Sequence, residues 1–137
     1  MRAQRFLSQY GEQMLVILRL QKRLQALDDL YDIVQDMTRE KVQTSPKPDK
    51  IGEIIAKKSD LKAELNEEIE KAKAIMDDVE AVISEVNDKR LQLLLHERYI
   101  NFMTWGMIAE DLDLSDRWVQ ELHLKALMKV ERIINVV

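Results

Sequence analysis

Side chains that can contact nucleic acid lie close together between Thr104 and Lys125. Arginine can donate two hydrogen bonds to guanine, glutamine can pair with adenine, and glutamate can accept a hydrogen bond from cytosine. Hydroxyl groups and the first backbone N–H groups of a helix can hold a phosphate. This chemistry predicts double-stranded DNA as a partner. The predicted contact residues are Thr104, Ser115, Asp116, Arg117, Gln120, Glu121 and Lys125.

Residues suited to catalysis or metal binding are few and scattered. The two histidines, His96 and His123, are far apart in sequence, and the chain has no cysteine. It contains neither a His-Glu-x-x-His pattern nor a glycine-rich phosphate loop. We predict that the protein is not an enzyme and takes no metal or cofactor. We expect His123 to form a hydrogen bond within its domain, His96 to make local contacts, and Arg98 to pair with an acid in the following helix.

Two short helices with a small joint must position the predicted contact residues. Thr104 and Ser115 are predicted N-caps, because a hydroxyl can accept a hydrogen bond from the unpaired N–H groups of a first turn. Trp105 begins the first of these helices. The side chains predicted to face inward are Ile108, Ala109, Leu112, Leu114, Val119, Leu122, Ala126 and Leu127.

The spacing of these inward side chains is typical of a helix-turn-helix. The small Ala109 lets the two helices cross closely. Asp113 stands where a glycine is common, and aspartate adopts positive φ more readily than most residues. Gly106 weakens the first helix. The functional interpretation puts the helix after Ser115 in the DNA major groove. The alternative is a three-helix packing unit without a ligand. Trp118 is expected to pack on the preceding helix rather than against a base.

Two long amphipathic helices are predicted upstream, over about residues 2–43 and 50–87. The first has apolar residues at alternating spacings of three and four, with Gln21 in one gap: Leu7, Tyr10, Met14, Ile17, Leu24, Leu27, Tyr31 and Val34. The second continues the pattern, interrupted by Lys58 and Glu68: Ile51, Ile54, Leu61, Leu65, Ala72, Ile75, Val79, Val82 and Val86. Pro46 and Pro48 stop the first helix.

The predicted fold class is all-α, with a long, coiled-coil-like antiparallel two-helix hairpin followed by the helix-turn-helix. Asp49 is a candidate N-cap of the second helix, and Asn87 or Asp88 of the third. The predicted domains are residues 1–87, an oligomerisation arm, and residues 88–137, a DNA-binding domain. Because a lone hairpin leaves apolar surface in water, we expect a homodimer through the hairpin.

Composition limits the other possible partners. The net charge is −4, so bulk electrostatics do not attract the chain to DNA or to anionic lipid. Residues 115–132 hold four basic and three acidic side chains, so phosphate attraction is weak for one copy and stronger for two. No apolar run is long enough to span a membrane. We expect a cytoplasmic protein with no membrane partner.

The segment from "LLHERYI" to "KALMKV" resembles region 4 of bacterial sigma factors. It resembles more closely a family of small phage and prophage proteins of Gram-positive bacteria, related to late-gene regulators of the RinA and ArpU types. The matching residues are Arg98-Tyr99-Ile100, Thr104-Trp105 with Ile108-Ala109, Ser115 with Arg117 and Val119, and His123 with Ala126-Leu127. Gly106 and Asp113 depart from the usual pattern. The resemblance implies a phage-encoded DNA-binding transcriptional regulator in a bacterial host.

Two other functional classes stay open at this point. One is a DNA-packaging component that resembles a small terminase subunit, since those proteins also join a helix-turn-helix to a helical oligomerisation arm. The other is an interaction protein that docks on host RNA polymerase and binds no DNA. A dimer in solution favours the regulator, and a large ring favours the packaging component. Failure to bind any duplex at low salt favours the interaction protein.

Overall fold

Helical backbone accounts for nearly all of the chain in the computed structural model, which describes residues 1–40 and 48–135. Within those residues there is no β-strand, so the predicted all-α fold class is confirmed. The helices are α1 (Arg2–Glu40), α2 (Pro48–Glu85), α3 (Lys89–Leu95), a π-helix, π1 (His96–Ile100), α4 (Trp105–Leu112) and α5 (Asp116–Ile134). The C-terminal end predicted for the first helix and the turn containing Pro46 lie outside the described residues.

Local capping chemistry explains where most of these helices begin. Asp88 is the N-cap of α3, and its carboxylate accepts hydrogen bonds from the N–H groups of Arg90 and Leu91. Asp49 was predicted to precede the second helix but lies within the first turn of α2, which begins at Pro48. Proline suits a first helical position because its missing N–H would have had no partner there.

The described structure divides into two compact units. The first combines Met1–Met14 with Ala72–Val137, and the second is Leu15–Lys71. This division follows packing rather than chain order, since α1 and α2 each contribute to both units. The domain boundary predicted between residues 87 and 88 stays a prediction.

In the Leu15–Lys71 unit, the apolar stripes of α1 and α2 supply the buried side chains. Ile17, Ile54 and Leu61 are buried, and Leu20 takes the buried position next to the gap that Gln21 leaves. Lys58, which interrupts the apolar stripe of α2, makes electrostatic contacts with α1. Its Nζ lies 2.6 Å from Asp28 Oδ1 and 5.2 Å from the centre of the Tyr31 ring.

In the other unit, the first turns of α1 share a core with the last turns of α2 and with α3 to α5. The fully buried members are Ala3, Leu7, Val79, Leu94, Leu95, Ile108, Val119, Ala126 and Val130. Polar contacts close the same unit at its edge. The Ala3 N–H donates to Glu131 Oε2 at 2.8 Å, and Arg2 Nη1 donates to Asn135 Oδ1 at 2.7 Å. The Glu131 carboxylate therefore sits at the positive end of the α1 dipole.

Candidate nucleic-acid interface

A cluster of aromatic and cationic side chains holds the start of α4 against α5. Tyr99 Oη and His123 Nε2 share a hydrogen bond of 2.7 Å. The Trp105 ring centre lies 4.4 Å from that of His123. On the other side, the Arg98 guanidinium lies 4.4 Å from the Trp105 ring centre and donates to the Met103 carbonyl at 3.0 Å. Cation–π contact and this hydrogen bond together fix the segment that leads into α4.

The protonation states in this cluster follow from burial. Burial, with a smaller effect of the Arg98 charge, lowers the pKa of His123 to about 4. Burial also raises the pKa of Tyr99. At pH 7 both partners of the hydrogen bond are therefore neutral. The hydrogen bond predicted for His123 within its own unit is confirmed.

Two other predictions for this region need correction. Arg98 was expected to pair with an acid of the following helix, but its guanidinium contacts a backbone carbonyl and an indole ring. His96 was expected to make only local contacts, but its Nε2 lies 3.3 Å from Glu80 Oε1 on α2. The Arg98 contact is with a backbone carbonyl, and the His96 contact is with a different helix. The spacing of residues in the sequence predicts neither contact.

The joint between α4 and α5 is short because Asp113 adopts left-handed backbone geometry. Its φ is 54° and its ψ is 49°, which is the conformation that ends α4. The Leu114 N–H then donates to the Ala109 carbonyl at 2.9 Å. Ala109 is only 5% exposed and Ile108 is fully buried, as predicted for the inner face. A Cβ at Gly106 would meet open space, so no close contact explains the glycine there.

The predicted caps are present at both helices. Thr104 Oγ1 accepts from the Met107 N–H at 3.2 Å, and Ser115 Oγ accepts from the Trp118 N–H at 3.1 Å. Each hydroxyl keeps its own hydrogen free for a further acceptor. All seven predicted contact residues are exposed: Thr104, Ser115, Asp116, Arg117, Gln120, Glu121 and Lys125.

Arg117 forms an ion pair with Glu121 on the exposed face of α5. Its side chain is 91% exposed, and its Nε lies 3.7 Å from Glu121 Oε1. An ion pair this exposed contributes little free energy, because water screens it and side-chain entropy opposes it. The Arg117 guanidinium is therefore available to a ligand.

Large apolar side chains share the outer face of α5 with these polar groups. Trp118 was expected to pack on the preceding helix, but it is 40% exposed and its ring centre lies 5.8 Å from Lys125 Nζ. Leu124 is 54% exposed, and Met128 one turn later is also exposed. The outward position of Leu124 follows from helical spacing, whereas the exposure of Trp118 does not.

Sequence reasoning missed a buried acid in this unit. The sequence spacing predicts an apolar inner face made of Leu91, Leu94, Leu95 and Tyr99, and all four side chains are buried. The chain changes to π1 at His96, and Glu97 of that segment is also buried. Apolar spacing marks only the hydrophobic members of an inner face, so a buried acid among them carries no such signal.

Comparisons of the chain with protein-family models, with curated proteins and with solved structures found no match. Among the described residues, no group of three or more His, Cys, Asp or Glu side chains is arranged to hold a metal ion. None of the described helices combines the length and the apolar character needed to cross a membrane.

Proposed function

We propose that the protein is a DNA-binding transcriptional regulator in which α4 and α5 act as a helix-turn-helix. The observation that carries the proposal is the division of α5 into two faces. One face buries Val119 and Leu122 in the hydrophobic core, and the opposite face exposes the polar residues at the start of the helix. A short left-handed joint at Asp113 and a small Ala109 at the crossing support the same geometry. The resemblance to phage late-gene regulators agrees with this function.

In the proposed complex, the N-terminal half of α5 lies in the major groove. Arg117 contacts guanine or a phosphate, Gln120 contacts adenine, and Glu121 accepts from cytosine. The exposed Thr104 hydroxyl and the first N–H groups of α4 contact a phosphate. Lys125 contacts the backbone at the edge of the site.

The weak basic charge of this region makes a second copy important. Asp116 and Glu121 offset much of the positive charge that Arg117 and Lys125 supply. One copy would therefore release few counterions from DNA and bind weakly. A homodimer doubles the contacts and raises the effective concentration of the second site. We propose that the Leu15–Lys71 unit supplies this dimer contact.

The Arg117→Ala variant tests the DNA contact. Bound fragments are first selected from a pool of random duplexes at low salt, and affinity is then measured by fluorescence anisotropy. We expect Arg117→Ala to weaken binding by about 1–3 kcal/mol without lowering the melting temperature. Arg90→Ala removes an exposed arginine of α3 that lies outside both the assigned DNA contacts and the proposed dimer contact, so it is the matched control and should bind like the parent. If no duplex binds at low salt, or if both variants bind alike, the DNA assignment is wrong.

A specific observation also favours a second function, docking on another protein such as RNA polymerase. Trp118, Leu124 and Met128 expose apolar surface on the face that would approach DNA, and such patches commonly mark protein contacts. Leu124→Ser separates the two functions. Under the DNA proposal this variant retains DNA affinity within about twofold, because Leu124 lies beyond the residues assigned to base contacts. Under the docking proposal it loses co-purification with RNA polymerase while the protein stays folded.

A further inference from the structure

A surface cleft beside π1 contains an acid with one buried carboxyl oxygen that accepts no hydrogen bond from a donor group among the described residues. The cleft has a volume of about 780 Å³ and is bordered by α2, α3, π1 and α4. Its charged lining residues are Glu80, Lys89, His96, Glu97 and Asp111. Three of these residues are acidic, one is a lysine and one is a histidine.

Glu97 is the unusual member of this group. Its side chain is only 6% exposed, and within the described part of the chain no donor lies within hydrogen-bonding distance of its Oε2. A buried carboxylate oxygen without a donor is destabilising, because the hydrogen bonds it made to water are not replaced. Such an atom is uncommon in a natural protein and calls for an explanation, for which a bound ligand is one candidate.

The acidic residues that line the cleft with Glu97 supply it with no positively charged hydrogen-bond donor. Burial, and then the neighbouring carboxyl group of Asp111 on α4, raise the pKa of Glu97. The Glu80 Oε1 atom lies 3.3 Å from His96 Nε2. Glu80 therefore adds a third carboxylate to the cleft and supplies no hydrogen-bond donor to Glu97. When Glu97 is ionised, two neighbouring carboxylates, one of them buried, call for a positively charged donor.

The lining of the cleft distinguishes between possible cations. A metal ion is a poor fit, since the described residues contain no group of three suitable ligands. The walls instead include the apolar side chains of Ile83 and Met103, and Leu93 is exposed at the rim. A long cationic side chain buries an apolar stem and presents its charge at the tip, which matches this arrangement. The planar guanidinium offers several parallel donors to a pair of carboxylates, whereas an ammonium offers a point charge.

We propose that this cleft binds the guanidinium group of an arginine side chain presented by a partner protein. The carboxylates of Glu97 and Asp111 accept its N–H groups, and Ile83 and Met103 pack against its methylene stem. The exposed Leu93 at the rim provides contact for the polypeptide on either side of that arginine. This site lies in a different place from the outer face of α5 and does not depend on DNA binding.

Titration of the full-length ¹⁵N-labelled protein with a short capped peptide, acetyl-Gly-Arg-Gly-amide, tests the proposal. We expect saturable chemical-shift changes at the amides of Glu97 and Asp111, with a dissociation constant on the order of millimolar. The same peptide with citrulline in place of arginine keeps the shape and loses the charge, and should cause no saturable change. Spermidine, a free polyamine, should bind more weakly than the arginine peptide at these residues.

Variants assign the binding to the acidic pair. Glu97→Gln and Asp111→Asn should each weaken peptide binding about tenfold, the loss expected for one charge-assisted hydrogen bond. Glu110→Gln, which removes a neighbouring exposed acid outside the cleft, should bind like the parent. Melting temperatures show that each variant is folded, and Asp111→Asn, being exposed, provides the test if Glu97→Gln unfolds. The proposal is overturned if arginine and citrulline peptides bind alike, if spermidine binds better, or if both cleft variants retain parental affinity.

Discussion

Glu97 is a carboxyl group whose protonation is coupled to folding. Burial, followed by the hydrogen bond and the charge of Asp111, raises its pKa from 4.5 to about 7. The folded protein therefore holds this proton more tightly than the unfolded chain does. The stabilising contribution is complete below about pH 4.5 and is lost as the pH rises through about 7.

The Glu97→Gln variant should reveal this coupling. At pH 8 we expect it to be more stable than the parent by roughly 1–3 kcal/mol, because glutamine is uncharged and can donate to Asp111. At pH 5 the two proteins should differ little. Urea denaturation at both pH values measures the difference, and His123 contributes equally to both proteins. An equal difference at pH 5 and pH 8 would exclude the mechanism. The same variant should bind the arginine peptide more weakly, so loss of binding would accompany a gain in stability.

The hydrogen bond between Tyr99 and His123 makes a second residue-scale prediction. Tyr99→Phe leaves His123 Nε2 buried without that partner, and should lower the free energy of unfolding by about 1–2 kcal/mol at pH 7. Tyr10→Phe keeps the ring stacked on Phe102, at 5.6 Å between centres, and serves as the control. Thermal denaturation of both variants tests the difference. Equal melting temperatures would mean that the hydrogen bond adds nothing to stability.

At the scale of helices, the close crossing of α4 and α5 depends on the size of residue 109. Ala109→Leu adds three carbon atoms where the site is 5% exposed, and should destabilise the protein by about 1–3 kcal/mol through overpacking. Ala56→Leu makes the same change at an exposed position of α2 and should be nearly neutral. Thermal melts of the two variants provide the comparison, and an unchanged melting temperature for Ala109→Leu would contradict the packing described for these helices.

Helix starts and inner faces were predictable because they depend on nearby residues. Thr104, Asp88 and Ser115 cap their helices through hydrogen bonds that span two or three residues. The contacts that decide the surroundings of Glu97 are different in kind. They join acids on π1 and α4, and amphipathic spacing within one helix does not predict contacts between two helices. The exposure of the predicted contact residues followed from spacing, while the DNA they are proposed to bind remains a proposal.

At the scale of the whole molecule, exposed apolar side chains on the Leu15–Lys71 unit bear on self-association. They are Leu15, Leu18, Leu30, Ile33, Met37 and Ile55. If this surface forms the proposed homodimer, Ile33→Glu should weaken dimerisation at least tenfold, because a charge would be buried at the contact. Leu93→Glu, on the other unit, is the control and should remain dimeric. Sedimentation equilibrium measures both. A monomeric parent would refute the dimer, and a large ring would favour the DNA-packaging alternative.

The bond from the Ala3 N–H to Glu131 joins positions that are 128 residues apart. The ribosome synthesises Ala3 long before Glu131. The unit that contains both residues therefore cannot fold completely until α5 has left the exit tunnel. The Leu15–Lys71 segment is complete much sooner. Contacts this distant in sequence also slow folding. The nascent chain therefore spends part of its synthesis with the first turns of α1 exposed, a period in which chaperones can bind them.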